Sequence, residues 1–143
     1  KGAIDLGIAM QLTNISRDVV EDYKMNREYI KDDFENIKST LKLADMFYES
    51  SFSSLKKIPI RYRFAIIVAR RVYRQIGREI IKKKNIENYK RSGKIYVDNF
   101  GKITQTILSF VDLIKLFFIK IENHQRSQKH DIIKSEINLN ERI

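Results

Sequence analysis

A single proline, Pro59, and five glycines punctuate 143 residues. Chains built from hairpins and tight turns use both residues freely, so their scarcity favours long uninterrupted helices over a turn-rich β architecture. Hydrophobic residues make up 43%, which argues against disorder and for one domain with a real core. There are no cysteines. That excludes a disulfide framework and a thiolate metal site, and it fits a cytoplasmic location. The chain opens at Lys1 directly into helical pattern, so an upstream segment is expected and a missing secretory signal says little.

Apolar spacing predicts four helices. The first covers about 3–23 and the second about 33–55, opened by Asp32 or Asp33 as a cap. Past Pro59, a third is marked by Phe64, Ile67, Val68, Val72, Ile76 and Ile80, which advance in threes and fours. Residues 85–101 read as a loop or broken helix. A fourth helix covers 102–121, where Asp112, Lys115 and Lys120 interrupt the apolar run. That run falls short of the roughly 18 apolar residues a membrane span needs, so a core helix is the first expectation and an interfacial helix the second. The domain is expected to occupy residues 1–122, and 123–143 to form a polar, disordered tail. His124 and His130 lie six apart in that tail, a poor helical spacing for a shared metal. Deleting 123–143 is expected to leave turnover nearly unchanged.

The formal net charge is +10, and residues 53–102 carry 15 Lys/Arg against 3 Asp/Glu. A basic stretch of this kind suits an anionic partner, although a solvated charged face is the commoner cause. The basic residues share a helix with a core stripe and no nucleic-acid-binding motif is present, so nucleic acid is not expected as a partner.

The sharpest local pattern lies in the first helix, "QLTNISRDVVED". At about 100° per residue, Asn14, Asp18 and Asp22 share one narrow stripe, with Gln11 among them. The remaining positions are mostly apolar, which predicts a buried helix with its carboxylates facing a bundle interior. Buried carboxylates need cations close by. Either salt bridges to Arg17 or the basic third helix supply them, or a hard ion such as Mg²⁺ binds the carboxylate and amide oxygens. Spacing alone divides evenly between the two.

"LGIAMQLTNISRDVVEDYKMNREYI" resembles the second aspartate-rich signature of the squalene/phytoene synthase family of head-to-head prenyl synthases. "ADMFYESSFSSLKKIPIRYRFAIIVARRVYRQIG" resembles the stretch that follows it in the family's bacterial phytoene-forming branch. The resemblance runs from about Gly2 to Ile121. It implies an all-α, isoprenoid-synthase-type helical bundle, present here as an incomplete C-terminal part. The implied activity is prenyl transfer: two geranylgeranyl diphosphates condense head to head through a cyclopropyl diphosphate, the first committed step towards carotenoids. Mg²⁺ is the implied cofactor, with Mn²⁺ as a substitute and no nicotinamide.

By the same resemblance Asn14, Asp18 and Asp22 are metal ligands, and Asp18 and Asp22 carry the catalytic role. Gln11 and Arg17 contact substrate diphosphate, Tyr73 lines the site, and Arg27 and Tyr29 form a basic and aromatic pair just beyond. The substrate is an isoprenoid diphosphate. Peripheral contact at the inner membrane face suits such greasy substrates and products, and the oligomeric state is left open. Three features depart from the family pattern. No first D-x-x-x-D helix is present, so the chain alone is expected to be inactive. Lys31 stands where proline is usual, and Lys94 replaces an arginine, keeping charge but losing the bidentate fork. Squalene, dehydrosqualene and presqualene diphosphate synthases are alternatives within the family. A non-catalytic helical binding module is the alternative outside it.

Overall fold

The computed structural model describes residues 2–120. Five α-helices and one 3₁₀ turn follow in order: α1 (Gly2–Lys24), α2 (Phe34–Phe52), the 3₁₀ turn Ser53–Lys57, α3 (Ile60–Ile81), α4 (Ile86–Arg91) and α5 (Asn99–Phe118). No strand occurs among the described residues. The architecture is all-α, consistent with an isoprenoid-synthase-type bundle. The tail expectation, with its two histidines, lies outside the described residues.

Side chains that satisfy orphan backbone donors fix the helix starts. Asp33, not Asp32, caps α2 by accepting from Glu35 N at 3.2 Å. Asn85 caps α4 by accepting from Asn88 N at 2.8 Å, and Asp98 caps α5 by accepting from Gly101 N at 2.7 Å. Pro59 sits just before α3, where its missing N–H costs nothing. Two residues past the end of α1, Asn26 takes a left-handed φ of 56° and lets Arg27 N donate to Asp22 O at 2.9 Å. At the far end, Lys56 Nζ donates to Phe117 O and Ile119 O, which satisfies carbonyls at the end of α5.

α1 packs most extensively on α2, and α3 lies against α1 and α5. Two apolar clusters form the core. One gathers Leu6, Ile8, Ala9, Phe47, Tyr48, Ile67 and Leu116, among others. The second joins Val19, Ile37, Leu41, Ile76 and Ile80 to Tyr89, Ile95 and Val97. The stretch read from sequence as a loop or broken helix is a short helix followed by a strap whose Ile95 and Val97 are buried.

Two expectations need correction. α1 is not buried all round, because Ala3, Ile4, Gly7 and Gln11 are exposed along one face. Nor is α5 a core helix in the expected sense. It buries Gln105, Ser109 and Asp112 together with Leu116, and it exposes Phe100, Ile103, Ile107, Phe110, Val111, Ile114, Phe117 and Phe118. The cause is the surface it meets. α3 presents Arg71, which bonds Gln105 Oε1 at 3.0 Å and Asp112 Oδ2 at 2.6 Å. A guanidinium at a helix interface needs a polar partner, so the polar stripe of α5 turns inward. No described helix is long and apolar enough to cross a membrane.

Candidate functional site

The C-terminal half of α1 and the strap after α4 frame the site. Arg17 and Asp18 form a bidentate pair, Nε to Oδ1 at 2.8 Å and Nη2 to Oδ2 at 2.9 Å. From the strap, Lys94 reaches Asp18 at 3.3 Å and Glu21 at 2.6 Å. The ring of Tyr96 lies 6.0 Å from the Arg17 guanidinium. Partial burial opposes ionisation of Asp18, but the bonds from Arg17 and Lys94 outweigh it and hold the carboxyl below its ordinary range. The bond to Asp18 in turn raises Arg17.

The strap is held in place from behind. Tyr89 is buried, and its hydroxyl donates to Ser16 O at 3.0 Å and Arg17 O at 2.8 Å. This ties α4 to the turn of α1 that bears Arg17 and Asp18. Burial strongly raises the phenol's pKa, so the group stays a neutral donor.

The other residues on the stripe divide by position. Gln11 is exposed. Asn14 is half-buried, and its Oδ1 is a buried acceptor with no hydrogen-bond partner. Asp22 is half-buried and lines a shallow recess with Arg27 and Tyr29, both largely exposed, and with Asp32. Asp32 pairs with Lys90, while its Oδ1 is buried and unpartnered. Tyr73 is half-buried and packs against both apolar clusters. The fold therefore brings Arg17, Asp18 and Lys94 together, with Asn14 one turn away. Asp22, Arg27 and Tyr29 meet in the adjoining recess, and Tyr73 approaches from the core.

Sequence reasoning missed Tyr89, Glu21 and Tyr96. Tyr89 falls in a stretch without apolar periodicity, where nothing marks a ring as buried. Glu21 and Tyr96 acquire meaning only once Lys94 and the strap lie over α1.

The donor set suits a hard cation. Asn14 Oδ1 is an unpartnered acceptor, Asp18 and Asp22 are carboxylates, and Mg²⁺ is commonly held by one or two carboxylates with phosphate oxygens completing its shell. The described residues contain no cluster of three His, Cys, Asp or Glu side chains placed for a metal. Asn14, Asp18 and Asp22 thus offer an amide and two carboxylates along one stripe, with the cations Arg17 and Lys94 beside Asp18.

No family model matches the chain, and no solved structure matches it. Several curated proteins do. It is 34% identical to the 15-cis-phytoene synthase of Enterobacter agglomerans, over 55% of this chain and 34% of that protein. It is 35% identical to the 15-cis-phytoene synthase of Paracoccus sp., over 56% of this chain and 32% of that protein. The phytoene synthase of Cereibacter sphaeroides is 34% identical, over 54% of this chain and 28% of that protein. The chain thus spans about a third of the length of the curated relatives it matches. These matches, at about 34% identity over roughly half of the chain, support its place in the phytoene synthase family.

Proposed function

We propose that this chain supplies one face of the metal and diphosphate site of a phytoene synthase, a prenyltransferase that joins two geranylgeranyl diphosphates head to head. The observation that carries the reading is the α1 stripe, where an orphaned amide oxygen on Asn14 lies one turn from a carboxylate clamped by Arg17 and Lys94. Asn14, Asp18 and Asp22 would hold Mg²⁺, or Mn²⁺ in its place, which when bound neutralises the departing diphosphate. Arg17 is a fixed planar donor suited to phosphate oxygens, and Lys94 adds a point charge from the strap. Tyr73 can present a ring face toward positive charge on the substrate. Gln11, Arg27 and Tyr29 border the same side and would orient substrate.

The 15-cis-phytoene synthase names of the relatives favour the geranylgeranyl substrate over the shorter prenyl diphosphates of squalene-type enzymes. The test is product analysis. The full-length protein, given Mg²⁺ and geranylgeranyl diphosphate without a nicotinamide, should yield phytoene. Turnover of farnesyl diphosphate to a squalene-type product in preference would overturn the substrate assignment.

Peripheral contact with a membrane surface belongs to the same reading. The exposed apolar residues of α5, among them Phe110, Ile114, Phe117 and Phe118, support it, since large apolar side chains gathered on one helix suit an interaction surface.

A further inference from the structure

A second polar cavity lies away from the α1 stripe. Arg70, Arg71, Arg74 and Arg78 of α3 and Lys115 of α5 line a cleft of about 390 Å³ bounded also by α2, and no residue of α1 contributes to it. Against these five cations the lining holds two carboxylates, Glu49 and Asp112. Asp45 pairs with Arg74 from just outside, and the cations still outnumber the anions.

The arginines are unevenly satisfied. Arg71 takes Asp112 at 2.6 Å, and Arg74 takes Asp45 at 2.7 Å and Glu49 at 3.0 Å. Arg70 is only 5% exposed, yet it spends Nε and Nη2 on a single carbonyl, Tyr48 O. The carboxylate of Asp112 comes no nearer than 3.9 Å, too long for a hydrogen bond. Burial, with a smaller contribution from the neighbouring Arg74, pushes Arg70 down to about 10. Arg78 and Lys115 stand exposed at the rim, and neither forms an ion pair among the described residues.

We infer that this cleft is a binding site for a phosphate-type oxyanion, separate from the α1 stripe. The fork of Arg78, unpaired among the described residues, can meet phosphate oxygens bidentately, Lys115 adds a point charge, and an anion seated beside them offsets the crowding of Arg70 by Arg74 and Arg71. The volume leaves room for a diphosphate group. The site also gives a role to the basic stretch of residues 53–102, which the α1 site draws on only through Lys94. A free phosphate or diphosphate and the headgroup of an anionic lipid share this chemistry.

Calorimetric titration of the full chain with sodium diphosphate, at low salt and with EDTA present to remove metal, tests the inference. Saturable binding is expected, weakened about tenfold or more by Arg78→Ala combined with Lys115→Ala. Both residues are exposed and unpaired, so the melting temperature should hold. If it does not, Lys115→Gln alone should still show a smaller loss of affinity. Lys57→Ala, an exposed residue of the 3₁₀ turn outside the cleft, should leave affinity unchanged. In the second arm, binding to phosphatidic acid vesicles over phosphatidylcholine vesicles is compared for the same variants. Dependence on Arg78 and Lys115 there, without binding of free diphosphate, identifies the headgroup as the source. Failure of both arms to depend on Arg78 and Lys115, or an equal loss of diphosphate binding in Lys57→Ala, overturns the site.

Discussion

Asp18 carries a pH signature that follows from its partners. Arg17 and Lys94 depress its pKa below the ordinary 3.8 despite the opposing effect of burial. A depressed carboxylate contributes stability that is fully present above its unfolded value and is lost as pH falls through the lower folded value. The melting temperature should therefore drop on acidification below about pH 4, and Asp18→Asn should flatten part of that acid limb. The effect should be on the order of 1 kcal/mol or less, because the pair is partly open to solvent. An acid limb of unchanged steepness in the variant would contradict the ion-pair geometry. Tyr89 offers a cleaner single-residue test. Tyr89→Phe removes a buried hydroxyl that donates to Ser16 O and Arg17 O, and it should cost about 1 kcal/mol by denaturant melting. An unchanged midpoint would mean that the strap is not anchored there. Asn14, Arg17, Asp18 and Asp22 were legible as site candidates because an ordered resemblance marks them. Spacing alone could not choose between metal and salt bridge, and the fold shows the salt bridge, with both Asp18 oxygens bonded to Arg17.

The four long helices were legible, since three- and four-residue apolar spacing over long windows is a strong signal, while the six-residue α4 was too short to show one. What spacing could not give was the direction α5 faces. Its sequence is apolar on most sides, and a periodicity argument sends the apolar side inward. In the fold, Arg71 draws Gln105 and Asp112 inward and turns Ile107 and Phe110 outward. Such an inversion depends on the chemistry of the neighbouring helix, which no window within α5 contains. If α5 lies on a membrane surface, Ile107→Lys should reduce co-sedimentation with vesicles while leaving the circular dichroism spectrum intact. Equal sedimentation of both proteins would remove α5 from that role. The start of the same helix depends on glycine. A Cβ on Gly101 would lie 2.7 Å from Val97 Cγ1 and 2.8 Å from Asp98 Oδ1. Gly101→Ala must therefore displace the Asp98 cap, at a cost of about 1 kcal/mol, and an unchanged thermal midpoint would show that the cap is dispensable.

At the scale of the molecule, charge and apolar surface are segregated. Two apolar clusters hold α1 to α2, α3 and the strap, while the basic surplus collects on α3 and its flanks. The acidic stripe of α1 meets that surplus at Lys94 alone among the described ion pairs. This separation is what a chain needs if α1 is to offer carboxylates to a metal rather than to its own arginines. Arg17 is the exception, and it makes the account testable in one variant. Asp18→Asn in the full-length protein keeps size and one oxygen ligand but removes the charge. Thermal midpoint and Mg²⁺-dependent turnover of geranylgeranyl diphosphate are measured together. The account predicts weaker Mg²⁺ affinity, turnover lower by about two orders of magnitude or more, and a thermal midpoint near neutral pH lowered by no more than about 1 kcal/mol of stability implies. A collapsed midpoint with an unchanged Mg²⁺ response would show that Asp18 is a structural partner of Arg17 and that α1 does not hold the metal.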